Sequence, residues 1–82
     1  MTTLARVLGT TWCSDCTRSK RFLDAHAVAY EWIDIETDEA AAREVESHNA
    51  GARVVPTILL ADGTILVEPS DATLAQALGL AL

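Results

Sequence analysis

Two cysteines three positions apart, Cys13 and Cys16, sit in the run Thr11-Trp12-Cys13-Ser14-Asp15-Cys16 and are the only cysteines of the chain. A disulfide across so short a loop would remove little entropy from the unfolded chain, so the pair is a poor structural staple. It reads instead as redox chemistry or as half of a metal site. Thiol–disulfide exchange needs an accessible thiolate with a second thiol in reach. If a helix opens at about Cys13, its sulfur lies among unpaired backbone N–H groups at the positive end of the helix dipole, which stabilises the anion. Cys13 is therefore the predicted nucleophile. Cys16, one turn later on the same side, faces inward and is the predicted resolving thiol.

The neighbouring residues leave alternatives open. Arg18, Lys20 and Arg21, half of the six basic residues, follow Cys16 directly. They either add positive potential and attract an anionic substrate or form a solvated helix face. Asp15 opposes the anion if it lies close, or points into water. A structural zinc site needs four ligands, and only His26 and His48 are on offer besides the cysteines. His26 lies ten residues beyond Cys16 on the same predicted helix, roughly 15 Å along it, so the two cannot share a metal within one chain. Half of an iron–sulfur cluster at a dimer interface is the remaining metal reading. Trp12 either shapes a substrate surface or covers the edge of the core. Pro56 opens a strand after two β-branched residues; the X–Pro base rate gives no reason to expect a cis bond there.

The elements that must position these residues follow from the hydrophobic pattern. Leu4 to Gly9 suits a buried first strand, ending in the loop Gly9-Thr10-Thr11-Trp12. A helix from about Cys13 or Ser14 to about Ala27 aligns Phe22, Leu23 and Ala27 with Cys16 or Ser19. Ala29–Ile35 is aromatic and β-branched and predicts a second strand. Thr37 or Asp38 can cap a helix over 39–48, stopped by Asn49-Ala50-Gly51. Asp62-Gly63 is a two-residue turn signal between Ile58–Ala61 and Thr64–Val67. Pro69-Ser70-Asp71 opens a last helix through Leu78, with Leu74, Ala77 and Leu78 inside. The order β-α-β, then α, then β-β-α predicts a four-stranded mixed sheet with three helices on its two faces.

Eighty-two residues fit one domain, 1–82, with one modest core. Half the residues are apolar, too many for a disordered chain. A net charge of −6 repels phosphate backbones and argues against nucleic acid as a partner. No apolar run approaches the roughly 20 residues of a membrane span, and the first residues do not read as a signal peptide. The expected compartment is the cytoplasm.

Over essentially its full length the chain resembles the glutaredoxin branch of the thioredoxin-like α/β fold, closest to mycoredoxins. The resemblance rests on Thr11-Trp12-Cys13-x-x-Cys16 after a first strand, Tyr30-Glu31-x-Ile33-Asp34-Ile35, Arg53-Val54-Val55-Pro56-Thr57, Ala61-Asp62-Gly63 and Pro69-Ser70. It implies a thiol–disulfide oxidoreductase with catalytic Cys13 and Cys16, and with Trp12, Arg53, Val55, Pro56 and Asp71 toward substrate. It also implies that the Val55–Pro56 bond is cis and faces the sulfurs, that the Val55 backbone pairs with the bound thiol, and that Cys13 alone can suffice. Asp71 would recognise a ligand amine or cap the last helix. No bound cofactor is expected; the co-substrate is a low-molecular-weight thiol, mycothiol ahead of glutathione. The expected partners of this monomer are disulfide-containing or S-thiolated proteins, with mycothiol and its reductase or thioredoxin reductase as electron source. Two departures stand out: Leu66-Val67-Glu68-Pro69 replaces the Gly-Gly pair of glutathione users, and Ser14-Asp15 replaces the common Pro-Tyr. Rival readings are a ribonucleotide reductase donor recharged by thioredoxin reductase, an iron–sulfur or metal carrier, and an adaptor with an inert cysteine pair.

Overall fold

A computed structural model describes residues 3–80. The elements are β1 (Ala5–Gly9), α1 (Ser14–Ala25), β2 (Tyr30–Asp34), α2 (Glu39–His48), β3 (Thr57–Leu60), β4 (Ile65–Val67) and α3 (Asp71–Leu78). The sheet order is β2-β1-β3-β4, with β1 parallel to β2 and the other pairings antiparallel. This is the four-stranded mixed sheet with three helices expected from the element order, and it has the thioredoxin-like arrangement that the family resemblance implied.

Alternation along the central strands builds two cores, one on each face of the sheet. Ala5 and Val7 of β1 join Ile58 and Leu60 of β3 beneath Phe22 and Leu23 of α1 and Leu74 and Ala75 of α3. Leu8 faces the other way and packs with Ile35 beneath Ala41, Ala42 and Val45 of α2, flanked by Ile33, Val55 and Leu59. The helix starts are individually capped. The Asp38 carboxylate accepts the Ala41 N–H at 3.0 Å and the Ser70 hydroxyl accepts the Thr73 N–H at 3.1 Å.

Three local expectations are corrected. Ala27 does not belong to the inner face of α1: the helix ends at Ala25, and Ala27 turns the chain at φ 54° and is exposed. The hairpin loop is one residue longer than its Asp62-Gly63 signal. Leu59 pairs with Ile65 and the Leu60 N–H donates to the Thr64 carbonyl, leaving Ala61, Asp62 and Gly63 between them. Gly63, at φ 94°, closes that turn in a conformation that a side chain disfavours. Ser70, not Asp71, caps α3. Among the described residues no helix is long and apolar enough to cross a membrane.

Candidate active site

Cys13 is the N-cap of α1, with extended backbone (φ −83°, ψ 117°), and its sulfur accepts the Cys16 N–H at 3.1 Å. The sulfur thus occupies the position an Asp or Ser oxygen would take in an ordinary cap, held against a helix N–H. The Cys13 thiol also points at the Val55 carbonyl, 3.8 Å away, so α1 and the segment before β3 meet at this atom. Cys13 retains 9% of its surface, whereas Cys16 is fully buried. Burial pushes the Cys16 thiol up to about 12; its hydrogen bond to the Cys13 sulfur adds to this, and a backbone hydrogen bond from Thr10 opposes it. The two sulfurs therefore differ in kind: one touches solvent and accepts an N–H, the other is an interior thiol that keeps its proton at neutral pH.

Cys16 lies against Gly9, where a Cβ would collide with the Cys16 sulfur and crowd the Trp32 ring. A bare backbone at the end of β1 is what lets the second sulfur sit beneath the first.

The wall facing the sulfurs is the segment 53–57. The Val55–Pro56 bond is cis, as the family resemblance implied and the X–Pro base rate did not. Pro56 is buried, and the fully buried Thr57 closes the turn by donating to the Val54 carbonyl at 2.8 Å. The Asn49 amide at the end of α2 donates to Thr57 Oγ1 at 3.2 Å and to the Val45 carbonyl at 2.7 Å, tying this wall to α2. On its far side the Pro56 carbonyl accepts the Glu68 N–H at 2.9 Å.

Beside Cys13, Trp12, Arg53 and Val55 line one cleft of about 190 Å³ together with Thr10, Ile35 and Glu36. Trp12 is 71% exposed, so it presents its indole to solvent and is not a cover for the core. Its Nε1 donates to Glu36 at 3.0 Å, and Arg53 is engaged by Glu46 at 2.7 Å. Asp71 lies apart from this cleft. It lines a separate concavity of about 710 Å³ with Ser14, Thr17, Arg18, Arg21, Phe22 and Ala25, and accepts from Arg18 at 2.8 Å. Arg18 reaches Asp15 as well, at 3.4 Å, so the Asp15 carboxylate has a cation beside it. Lys20 lies over the Trp32 ring, 3.8 Å from its centroid. The basic run after Cys16 is thus divided among internal tasks, with Arg21 exposed. His26 stacks on Phe22 at 4.4 Å and His48 ends α2.

Sequence reasoning passed over Glu36, Gly9 and the Arg18 contacts. Gly9, next to a loop, carried a readable signal. Arg18 and Asp71, 53 positions apart, carried none.

Residues 2–65 match the glutaredoxin family profile. This chain belongs to the glutaredoxin family. It is 44% identical over 70 residues to a glutaredoxin-type protein of Mycobacterium tuberculosis, covering 85% of this chain and 83% of that protein. It is 38% identical over 63 residues to mycoredoxin 1 of Corynebacterium glutamicum, covering 77% of each. Among solved structures, a mutant form of a thioredoxin-like protein superposes with a TM-score of 0.84 at 27% identity, over 99% of this chain and 100% of that one. A glutaredoxin from Archaeoglobus fulgidus shares the fold, with a TM-score of 0.73 at 21% identity over 93% of this chain and 86% of that one. As a member of this family, the glutaredoxin-type chain is a thiol–disulfide oxidoreductase.

Proposed function

We propose that this enzyme reduces mixed disulfides between proteins and a low-molecular-weight thiol, mycothiol in first place, with Cys13 as nucleophile. The observation that carries the chemistry is the Cys13 sulfur at the start of α1, accepting a helix N–H and facing the Val55 carbonyl. The Cys13 thiolate attacks the small-thiol sulfur of the mixed disulfide. The S–S bond breaks, and the electron pair leaves on the protein sulfur, which takes up a proton. A second small thiol then attacks the same small-thiol sulfur, releasing the symmetrical disulfide and restoring Cys13. Cys16 can instead attack the Cys13 sulfur, releasing the small thiol and leaving a Cys13–Cys16 disulfide. Being buried, Cys16 is reachable only from within the chain.

In this reading the backbone of Val55 pairs with the bound substrate against Pro56, Trp12 and Arg53 flank it in the adjoining cleft, and Asp71 reaches it only through the concavity it shares with Arg18. Mycothiol is favoured over glutathione because mycoredoxin 1 is among the relatives and because Glu68-Pro69 stands where glutathione users carry Gly-Gly. The protein works as a cytoplasmic monomer without a bound cofactor. The partners are S-thiolated or disulfide-bearing proteins and the reductase that recharges the small thiol.

The test is turnover of an S-thiolated peptide with mycothiol, glutathione or thioredoxin reductase as sole reductant. Fastest turnover with mycothiol is expected; NADPH consumption with thioredoxin reductase and no small thiol would replace the mycothiol reading. Cys13→Ser should abolish turnover, while Cys16→Ser should keep most of it. Equal loss in both variants would establish a dithiol route instead.

A further inference from the structure

The guanidinium of Arg18 makes three contacts that converge on one place. Nη1 donates to Asp71 Oδ1 at 2.8 Å, while Nη2 donates to the Pro69 carbonyl at 3.3 Å and to Asp15 Oδ1 at 3.4 Å. Arg18 is thus fixed on α1, the helix that opens at Cys13, and grips both the first residue of α3 and the loop before it. That loop holds Glu68 at φ 47°, a left-handed backbone that costs free energy in any residue with a side chain. In that conformation the Glu68 N–H reaches the Pro56 carbonyl at 2.9 Å. Pro56 follows Val55, whose carbonyl faces the Cys13 thiol. A closed circuit results: Cys13, α1, Arg18, the loop 68–70, Pro56, Val55 and back to Cys13.

We propose that Arg18 is a positioning residue, holding the 68–70 loop in its left-handed conformation so that Pro56 forms a fixed wall for the peptide part of the substrate. The proposal rests on the reading above that substrate lies along Val55 and Pro56. An Arg suits the task because its planar fork presents several donors in fixed directions, whereas a Lys offers one point charge. Asp71 then serves as the anchor of this clasp, which explains a carboxylate at the start of α3 in a helix already capped by Ser70. Loss of the clasp should leave the sulfur chemistry and loosen the wall.

Four variants decide it: Arg18→Met, Arg18→Lys, Asp71→Asn and, as a charge control on α2, the exposed Arg43→Met. The first readout needs no substrate. Hydrogen exchange of the Glu68 amide should accelerate in Arg18→Met and Asp71→Asn, while the amides of Val7 and Ile58 in the core stay as slow as in the parent. The second is steady-state reduction of a peptide carrying a mixed disulfide with β-mercaptoethanol, with mycothiol in excess as the reductant. Charge-assisted hydrogen bonds of this kind predict a KM increase of roughly tenfold for Arg18→Met, with kcat within about twofold. Arg18→Lys should recover part of the KM, and Arg43→Met should match the parent. The proposal fails if the Glu68 amide exchanges at the parent rate, or if KM is unchanged in folded Arg18→Met. It also fails if kcat falls while KM holds, or if Arg43→Met reproduces the effect, since net charge would then be the cause. Absence of turnover in the parent protein would instead overturn the substrate reading, and the exchange rates would still judge the clasp.

Discussion

The contrast between the two cysteines has a consequence for stability. The fold favours the protonated Cys16, raising its thiol from an ordinary 9.0 to about 12. A raised value means that the folded state holds its proton where the unfolded chain has lost it, so the preference contributes stability fully below pH 9 and loses it between pH 9 and about 12. Urea denaturation of the reduced protein should show stability falling across that window, and Cys16→Ser should fall less. Tyr30, also raised by burial, titrates in both proteins and cancels in the comparison. Gly9 is the second sensitive position. A methyl there meets the Cys16 sulfur, so Gly9→Ala should cost about 1–3 kcal/mol by overpacking, read as a lowered denaturation midpoint with an unchanged slope.

At the scale of elements, each helix depends on a different cap, and the caps can be tested separately. Asp38→Ala removes the acceptor for the Ala41 N–H and should cost about 1 kcal/mol, visible in urea denaturation, while leaving Cys13 alkylation by iodoacetamide at the parent rate because α2 does not carry the sulfur. This is also the scale at which the sequence was most readable. The succession of strands and helices, an α2 cap at Thr37 or Asp38 that the structure gives to Asp38, and the inward Phe22 and Leu23 all follow from periodicity and capping chemistry, which are local. The placement of Cys13 at a helix start and of Cys16 buried one turn later was legible for the same reason: both are properties of a short segment. What could not be read depends on contacts between distant segments. Ser70 and Asp71 are both good capping residues, and only the arrival of Arg18 from α1 assigns Asp71 elsewhere. Glu36 acquires its role when the loop after β2 comes alongside the Trp12 indole. The three-residue hairpin loop needed the register of β3 against β4, which a dipeptide signal does not contain.

For the whole molecule, two small cores share one sheet, and neither is large enough to stand alone. Leu23, fully buried on the inner face of α1, is part of the larger one. Leu23→Ala should cost about 2–5 kcal/mol, a large share of a total that for such domains is about 5–15 kcal/mol. A single cooperative transition at a lower midpoint, followed by circular dichroism and by tryptophan fluorescence, is the expected result; two separated transitions would show that the faces unfold independently.

The sheet also has an unguarded flank. Strand β4 lies at its margin, with Ile65 and Val67 exposed, and an incoming chain meets free backbone groups there. Yet β4 ends after three residues. Beyond it Glu68 turns the backbone out of the strand direction, its N–H is spent on Pro56, and Pro69 has no N–H to offer. Any strand that tried to extend the sheet would run out of rail within three residues. The loop whose Glu68 N–H meets the Pro56 carbonyl therefore also acts as an end-stop against edge-to-edge polymerisation.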